Sequence, residues 1–440
     1  MAQLVSKNAE SSNVTKLDIK SNTSGSVSLL TSNALLRVMY FESILQDTVK
    51  ATVVFADTGD SVNGKSVIEG LPLVGTEEVN LAIRDNNDNQ VKVNLYVNKV
   101  TPVIEEANKA LTSISLVSEE FLKNETGETR LNGRFDGKIS EHINKILKNI
   151  LKTKKKVDIE ATSNNYNFIG NNRKPYYALN WLSKYSIPTK AGKDGKTGGF
   201  FFFETSEGFK FKSIDGLFAQ QQKKSLIYNQ NVDKDGKVPA GYAGKILDHS
   251  PDNAINAQEK FQMGAYATRL VVFNPFNCFY KVIKETAEET KGGTKLGAKD
   301  LPKLNKKFES KFTRTTYMLL DPGTLPTGST KEQIKKSDKP NLETQKILNQ
   351  AIRRYNQMFA GMETVTIPGD FSLHAGDVIF IDTPGLRPER NDEINKEIGG
   401  KYIIADLCHY ISSTETYTKL NLVRDSFGRT GNPTSGTRAL

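Results

Sequence analysis

The chain has 440 residues, with 60 Lys and Arg against 50 Asp and Glu, a net charge of +10 and 37% apolar residues. It is too long for one ordinary core and apolar enough to fold, so two to four domains are expected. No apolar run approaches the ~18 residues of a membrane-spanning helix, and the N-terminus lacks the apolar centre of a signal peptide.

Residues 1–25 read as a flexible or partly extended arm. Residues 26–115 read as β, with strands near 34–42 and 49–56, then EEVNLAIRD and QVKVNLYVNKVTPV around the turn signal DNNDN. Val91, Val93, Leu95 and Val97 alternate with polar or amphipathic neighbours, which predicts one buried face. ALTSISLVSEEFL is a further strand running into a short helix. Over 116–260 the character changes: ISEHINKILKNILK and YYALNWLSKYSIP are amphipathic helices, the second ending before Pro188. AGKDGKTGG is a loop. Phe200 to Phe203, a turn at Ser206 to Gly208, and Phe209 and Phe211 alternating with Lys210 and Lys212 make a hairpin. Residues 226–260 are polar and turn-rich, as in a linker or surface excursion. Residues 265–285 return to strand, 286–340 are charged and poor in core formers, and 426–440 read as a loose tail.

The stretch 341–424 is the most structured. Ile347, Leu348, Ala351, Ile352, Tyr355 and Phe359 fall at helical spacing, with Lys346, Asn349, Arg353 and Asn356 on the opposite, wet face, and Gly361 as the stop. Thr364 to Ile367 alternate as a strand. Pro368-Gly369-Asp370 and His374-Ala375-Gly376-Asp377 are turns on either side of a short strand, Phe371 to Leu373. Val378 to Ile381 is a continuous apolar run, which predicts a strand covered on both faces. KYIIADLCHYIS and TYTKLNLVRD complete an antiparallel meander that buries the helix's apolar face.

Signals for chemistry are sparse. His374, Asp370, Asp377 and His409 would make a mononuclear metal set if their strands were neighbours. No H-x-x-x-H or H-E-x-x-H spacing accompanies them, and turn carboxylates bonding backbone N–H groups account for the same residues. There is no G-x-S-x-G, and no P-loop or G-x-G-x-x-G follows a strand. Any two acids could form a glycosidase pair, and nothing singles one out. FKFK and NNRKPYY interleave aromatic and basic residues, which suits base stacking or hairpins with one wet face. Lys145, Lys148, Lys152, Lys154, Lys155 and Lys156 form the one dense basic block. Opposite Ile143, Ile146, Leu147 and Ile150 it is a solvated helix face, or else a contact for an anionic partner. Cys278 and Cys408 lie in strand-like runs, which predicts buried free thiols in a chain made in a reducing compartment. No catalytic, cofactor or metal residue is therefore assigned. The residues singled out are the turn positions Gly369, Asp370, Gly376 and Asp377.

The pattern of a helix, T-x-P-G-D-F-x-L-x-A-G-D-V-I, a loop, Y-I-I-x-x-x-x-H-x-I-S and Y-T-x-L-x-L-V-R resembles the last tube-like domain of baseplate hub proteins from contractile-tailed (myovirus) phages. It also resembles the related late-control tail proteins and the hub part of type VI secretion spike proteins. E-S-I-x-x-D, F-A-D and G-K-S-V-I-E-G-L-P-L-V-G between strands resemble the family's first tube-like domain, and the helix, helix, F-F-F-E hairpin order resembles its α/β middle domain. The resemblance implies an α+β, mainly β fold. It would place two tube-like antiparallel β-barrel or sandwich domains at 26–115 and at 261–285 plus 341–425, a middle domain at 116–260 and a smaller insert domain at 286–340. The duplication is implied by the resemblance alone, since segments 34–100 and 265–424 share no readable motif.

It further implies a homotrimer whose six β domains join a hexameric tail tube to a trimeric central spike. Baseplate wedge proteins and tube-initiator proteins would be further partners, genomic DNA would pass through the lumen, and the protein would sit in the virion tail after assembly in the host cytoplasm. The basic balance departs from the neutral or negative lumen expected of such tubes. Either the lysines face outward or that expectation fails here. The alternatives are a cell-wall hydrolase of a tail and the hub of a bacterial contractile injection system.

Overall fold

The computed structural model describes residues 13–431 apart from 24, 31–34, 58, 60–61, 63, 86, 107–108, 190–197, 229–244, 252–256, 276–277, 287–292, 299–304, 309–310, 312–313, 322–328, 338–343 and 384–398. Much of the 191–199 loop, of the 226–260 excursion and of the 286–340 insert thus lies outside the described residues, as do residues 1–12 and 432–440.

A first sheet runs Ser26–Ser28, Asn13–Lys20, Glu78–Arg84, Gln90–Glu106, Lys109–Val117, Lys50–Asp57, Leu35–Ser43, with every neighbouring pair antiparallel. Its inward-facing alternate residues share one core, in which Leu17 and Ile19 join Val38, Tyr40, Phe55, Leu81 and Leu95. The expected arm is therefore a strand from Asn13 onward: Leu17 and Ile19 sit at period two in NVTKLDIK and pair in register with Leu81 and Val79.

A second module is built from Lys224–Ile227, Asp248–Pro251, Gly361–Pro368, Val378–Asp382, Gly400–Ser412 and Thr416–Arg424. Leu226, Ile246, Val365, Ile367, Ile379, Ile381, Tyr402, Ile404, Leu420 and Leu422 form its core. Asp248–Pro251 falls inside the stretch 226–260 read as a polar excursion, and Lys224–Ile227 overlaps its start. Lys224–Ile227 pairs in parallel with Val378–Asp382, and Asp248–Pro251 pairs with Gly361–Pro368. The short strand expected at Phe371 to Leu373 is absent, and these residues continue the turn.

Between the modules lies an α/β unit, with helices Ile139–Lys145, continued by a wider turn over Ile146–Ile150, and Pro175–Ser183, against the hairpin Phe200–Thr205 and Gly208–Ser213. The four consecutive phenylalanines are buried because their strand is covered on both sides. Phe200 and Phe202 enter the core of this unit, while Phe201 and Phe203 pack toward Met358, Val378 and Ile403.

Ala267–Asn274 does not open the second module. It is the centre of a separate three-stranded sheet, antiparallel to Phe279–Thr286 and parallel to Arg314–Leu319. This sheet lies on the helix Thr344–Met358. The helix is consequently covered on two faces: Ile347 and Ala351 are buried as expected, but so are Asn349 and Arg353, at 1% exposure each, on the face read as wet. Asn349 Nδ2 donates to Thr268 O at 3.5 Å. The tail is ordered through its first residues, where Gly297 N donates to Ser426 Oγ at 2.7 Å and Arg429 pairs with Asp382 at 2.9 Å. Cys278 and Cys408 are free, and Cys278 is exposed in the turn between two strands rather than buried. No helix among the described residues is long and apolar enough to cross a membrane.

Candidate functional site

The two modules meet edge to edge. Gly400–Ser412 pairs along one edge with Thr416–Arg424, and its other edge is divided. Gly400 to Ile403 bind Val378–Asp382, and Asp406 to Ser412 bind Leu35–Ser43 of the first sheet. A register shift between Ile404 and Asp406 marks the handover, and there Ile44 N donates to Ala405 O at 2.9 Å. One extra residue bends a strand and raises its twist, which is what a strand serving two sheets requires.

Polar groups collect over this joint. Glu42, at 1% exposure, ends the inward-facing row of Leu35–Ser43. Its carboxylate accepts from Tyr40 Oη at 2.9 Å, Ser206 N at 2.7 Å and Ala375 N at 3.0 Å, and lies 3.3 Å from His374 Nδ1. One side chain thereby ties the first module, the middle hairpin and the 374–377 turn of the second module. Burial alone would raise the Glu42 carboxyl, but the hydrogen bond and charge of His374 with the two backbone donors hold it below the usual range. Burial works against the His374 cation, and Glu42 outweighs it, so His374 titrates above its ordinary value. Each member of the pair thus favours the charged form of the other.

His409 sits directly across from Tyr40 in the ladder, stacks on its ring at 6.0 Å, and packs against Phe371 at 4.7 Å. Burial pushes its pKa down to about 4, so it is neutral. Thr418 Oγ1 accepts from Asp370 N at 3.0 Å and lies 2.9 Å from His409 Nδ1. Phe371 N donates to Asp85 Oδ2 at 2.9 Å, binding the DNNDN turn of the first module to the same place.

Two further clamps flank the joint. Lys155 lies between Glu120 at 2.9 Å and Glu204 at 2.5 Å, while Glu204 Oε2 accepts from Ser118 Oγ at 2.6 Å and Val49 N at 3.1 Å. Burial opposes the Lys155 cation, yet the two carboxylates hold its pKa up. Burial raises both acids, but Lys155 and Thr153 bring Glu120 below its ordinary value, while Glu204, the more buried, stays raised. On the other side Arg354 reaches Asp215 at 2.9 Å, Asp425 at 3.2 Å and Thr294 O at 3.1 Å, joining helix, middle unit and second module.

The turn residues have different surroundings. Asp370 accepts from Ser372 and pairs with Lys224, and Asp377 accepts from His374 N at 2.8 Å and Lys223 Nζ at 2.8 Å. Gly376 has φ +87, and a Cβ there would lie 2.9 Å from Phe203 Cζ. Gly369 is not in the left-handed region, so the freedom of glycine is required only at Gly376 of the two. The four residues weighed as a metal set are distributed over these separate contacts, and no group of three His, Cys, Asp or Glu among the described residues could hold an ion.

A cleft of about 400 Å³ opens beside the turn, lined by Asp158, Glu160, Lys212, Asp215 and Asp377 among others. Its charged groups are engaged: Lys212 pairs with Asp158 at 2.6 Å, and Glu160 accepts from Ser213 N at 2.8 Å. It is a seam between units. Within the basic block, Lys155 is internal to its clamp, Lys148 Nζ donates to Lys155 O at 2.8 Å, and Lys145 lies over the Phe135 ring at 4.5 Å.

Sequence reasoning missed Glu42, Glu204 and Asp85. The available signal was an acid at an inward position of an apolar strand, as in FFFFE and LLRVMYFES.

No family model and no curated protein matches the sequence. Solved structures do match. The 43 kDa tail protein of prophage MuSo2 from Shewanella oneidensis aligns over 93% of this chain and 98% of that one, with TM-score 0.52 and 11% identity. The tail protein from Neisseria meningitidis MC58 aligns over 93% and 96%, with TM-score 0.50 and 9% identity. Over nearly its whole length, this mainly β chain has the fold of phage tail proteins.

Proposed function

We propose that the chain is the hub subunit of a phage tail baseplate. Three copies form a ring that presents six β-modules, joining a hexameric tail tube to a trimeric spike and templating the tube. The observation that carries this reading is the edge-to-edge pairing of Leu35–Ser43 with Gly400–Ser412, which holds two β-modules of one chain in a single sheet. A rigidly coupled pair of modules per subunit is what lets a threefold ring offer a near-sixfold rim. The motifs of both modules and the tail-protein fold support the same reading. The role is structural rather than catalytic. Spike, tube-initiator and wedge proteins are its partners, DNA passes its lumen, and the assembled virion tail is its location.

Native mass measurement of the purified chain tests it. A trimer that forms closed rings in electron micrographs is expected. A monomer at every concentration, or a ring of six chains, overturns the proposal.

A further inference from the structure

The basic block that follows the first helix of the middle unit divides into two sets. Past the wider turn Ile146–Ile150, Thr153 and Lys155 face inward: Thr153 Oγ1 donates to Glu120, and Lys155 reaches Glu120 and Glu204. Lys152, Lys154 and Lys156, which alternate with them, are exposed. The segment is pinned from beneath. Thr153 N donates to Leu147 O at 3.0 Å, Lys148 Nζ to Lys155 O at 2.8 Å, and Phe209 N to Lys156 O at 2.9 Å. The three outward lysines therefore stand on a fixed backbone.

The neighbouring carboxylates are engaged elsewhere. Glu120 and Glu204 hold Lys155, Asp158 pairs with Lys212 at 2.6 Å, and Glu160 accepts from Ser213 N at 2.8 Å. Among the described residues, no ion pair engages Lys152, Lys154 or Lys156. Lys152 adds an independent observation. It follows the helix end with φ +52, a conformation that glycine takes freely and that strains a lysine. Backbone strain held in place by its surroundings gathers where a chain meets its ligands.

The composition of the block chooses between anionic partners. Protein interfaces have an apolar core and are enriched in Arg and aromatic residues, whereas Lys is depleted. Residues 139–156 contain no Arg, Phe, Tyr or Trp, and Ile143, Ile146, Leu147 and Leu151 are buried. Single strands are held by aromatic side chains on which bases stack, and the block has none. Cations alone suffice for the phosphates of a duplex, where affinity comes from released counterions.

We propose that the row Lys152, Lys154 and Lys156 contacts the phosphate backbone of duplex DNA without reading its sequence. The inference does not depend on the ring reading, because the row belongs to the middle unit and not to the joint between the modules.

Fluorescence anisotropy with a labelled duplex of arbitrary sequence tests it on the full chain between ~50 and ~200 mM salt. Affinity should fall with salt. Lys152→Gly/Lys154→Gln/Lys156→Gln should lower the slope of log affinity against log salt by ~2–3, at ~0.9 per lost phosphate contact. This variant should melt no lower than the parent chain, because glycine relieves the strain at Lys152. Lys306→Gln/Lys307→Gln/Lys331→Gln removes the same charge from exposed positions elsewhere and should leave the slope unchanged. Absence of binding at ~50 mM salt, an equal loss of slope in both variants, or tighter binding of a labelled glutamate peptide or single strand overturns the proposal. Native mass, which tests the ring, should be the same in the parent chain and both variants, so the two readings fail separately.

Discussion

The first module is encoded in one run, Asn13 to Val117, whereas the second is assembled from Lys224–Ile227, Asp248–Pro251 and the stretch Gly361 to Arg424. The first module has the larger apolar core, and the second carries buried ion pairs where separate segments converge: Lys224 with Asp370, Arg354 with Asp215 and Asp425, and Arg429 with Asp382. Apolar burial is nondirectional and does not say which segment belongs where. A desolvated pair with fixed partners does, because leaving either charge alone inside is costly. The buried charges thus mark the places where the second module had to be specified from distant parts of the chain.

Four measurements break or sharpen that contrast. The largest effect is expected from Arg354→Met, which leaves Asp215 and Asp425 buried without their cation and should cost ~3–5 kcal/mol in urea unfolding. Hydrogen exchange should quicken in Gly361–Pro368 and Thr416–Arg424 before it does in Glu78–Arg84. Simultaneous loss in both modules would remove the distinction drawn here.

Lys155→Met should cost ~2–4 kcal/mol at pH 8, because Glu120 and Glu204 lose the ammonium they share. Without it both carboxyls titrate higher in the folded protein than in the unfolded chain. Protonation then favours the fold, and the deficit should shrink as pH falls from 8 to 5. A deficit independent of pH would mean that the clamp acts through packing alone.

Gly376→Val should cost ~1–3 kcal/mol, since φ +87 and the Phe203 ring both oppose a Cβ, while Gly369→Val should cost less. Equal melting points for the two variants would contradict the assigned backbone.

His374→Gln should give the smallest change, ~1.5 kcal/mol near pH 6. Glu42 titrates low in the fold, so its contribution is present above ~4.3 and is lost as pH falls through its folded value. His374 titrates high, so its contribution is complete below ~6.5 and is lost as pH rises through its folded value. In the variant the alkaline decline should vanish and the acid one should weaken, because His374 is the chief influence holding Glu42 low against burial; an unchanged alkaline limb would assign that decline elsewhere.

Local pattern and long-range partnership differed in how far they could be read. Period-two alternation in QVKVNLYV and the apolar run Val378 to Ile381 identify strands because each strand's own faces report its burial. Sheet membership leaves no such local trace. Ala267–Asn274 is recognisable as a strand, yet only its partners assign it to the small sheet. Asn349 and Arg353 looked solvated because periodicity divides a helix into two faces and cannot show that a second layer covers the polar one. The two Gly-Asp dipeptides at 369 and 376 are alike in letters, and only at Gly376 does the chain turn through positive φ. Glu42 and Glu204 stood inside the motifs that suggested the family, but an acid in a strand does not by itself disclose three donors arriving from other units.

The shared strand also has a consequence for biosynthesis. Leu35–Ser43 is finished early, yet its neighbour Gly400–Ser412 emerges from the ribosome more than 350 residues later. At ~5–20 residues per second, that backbone rim waits on the order of 20–70 s with its N–H and C=O groups open to strangers. Messages cut short before codon 400 would release nascent polypeptides whose sticky border is never sealed, so faithful completion of translation becomes a safeguard against clumping in the cell.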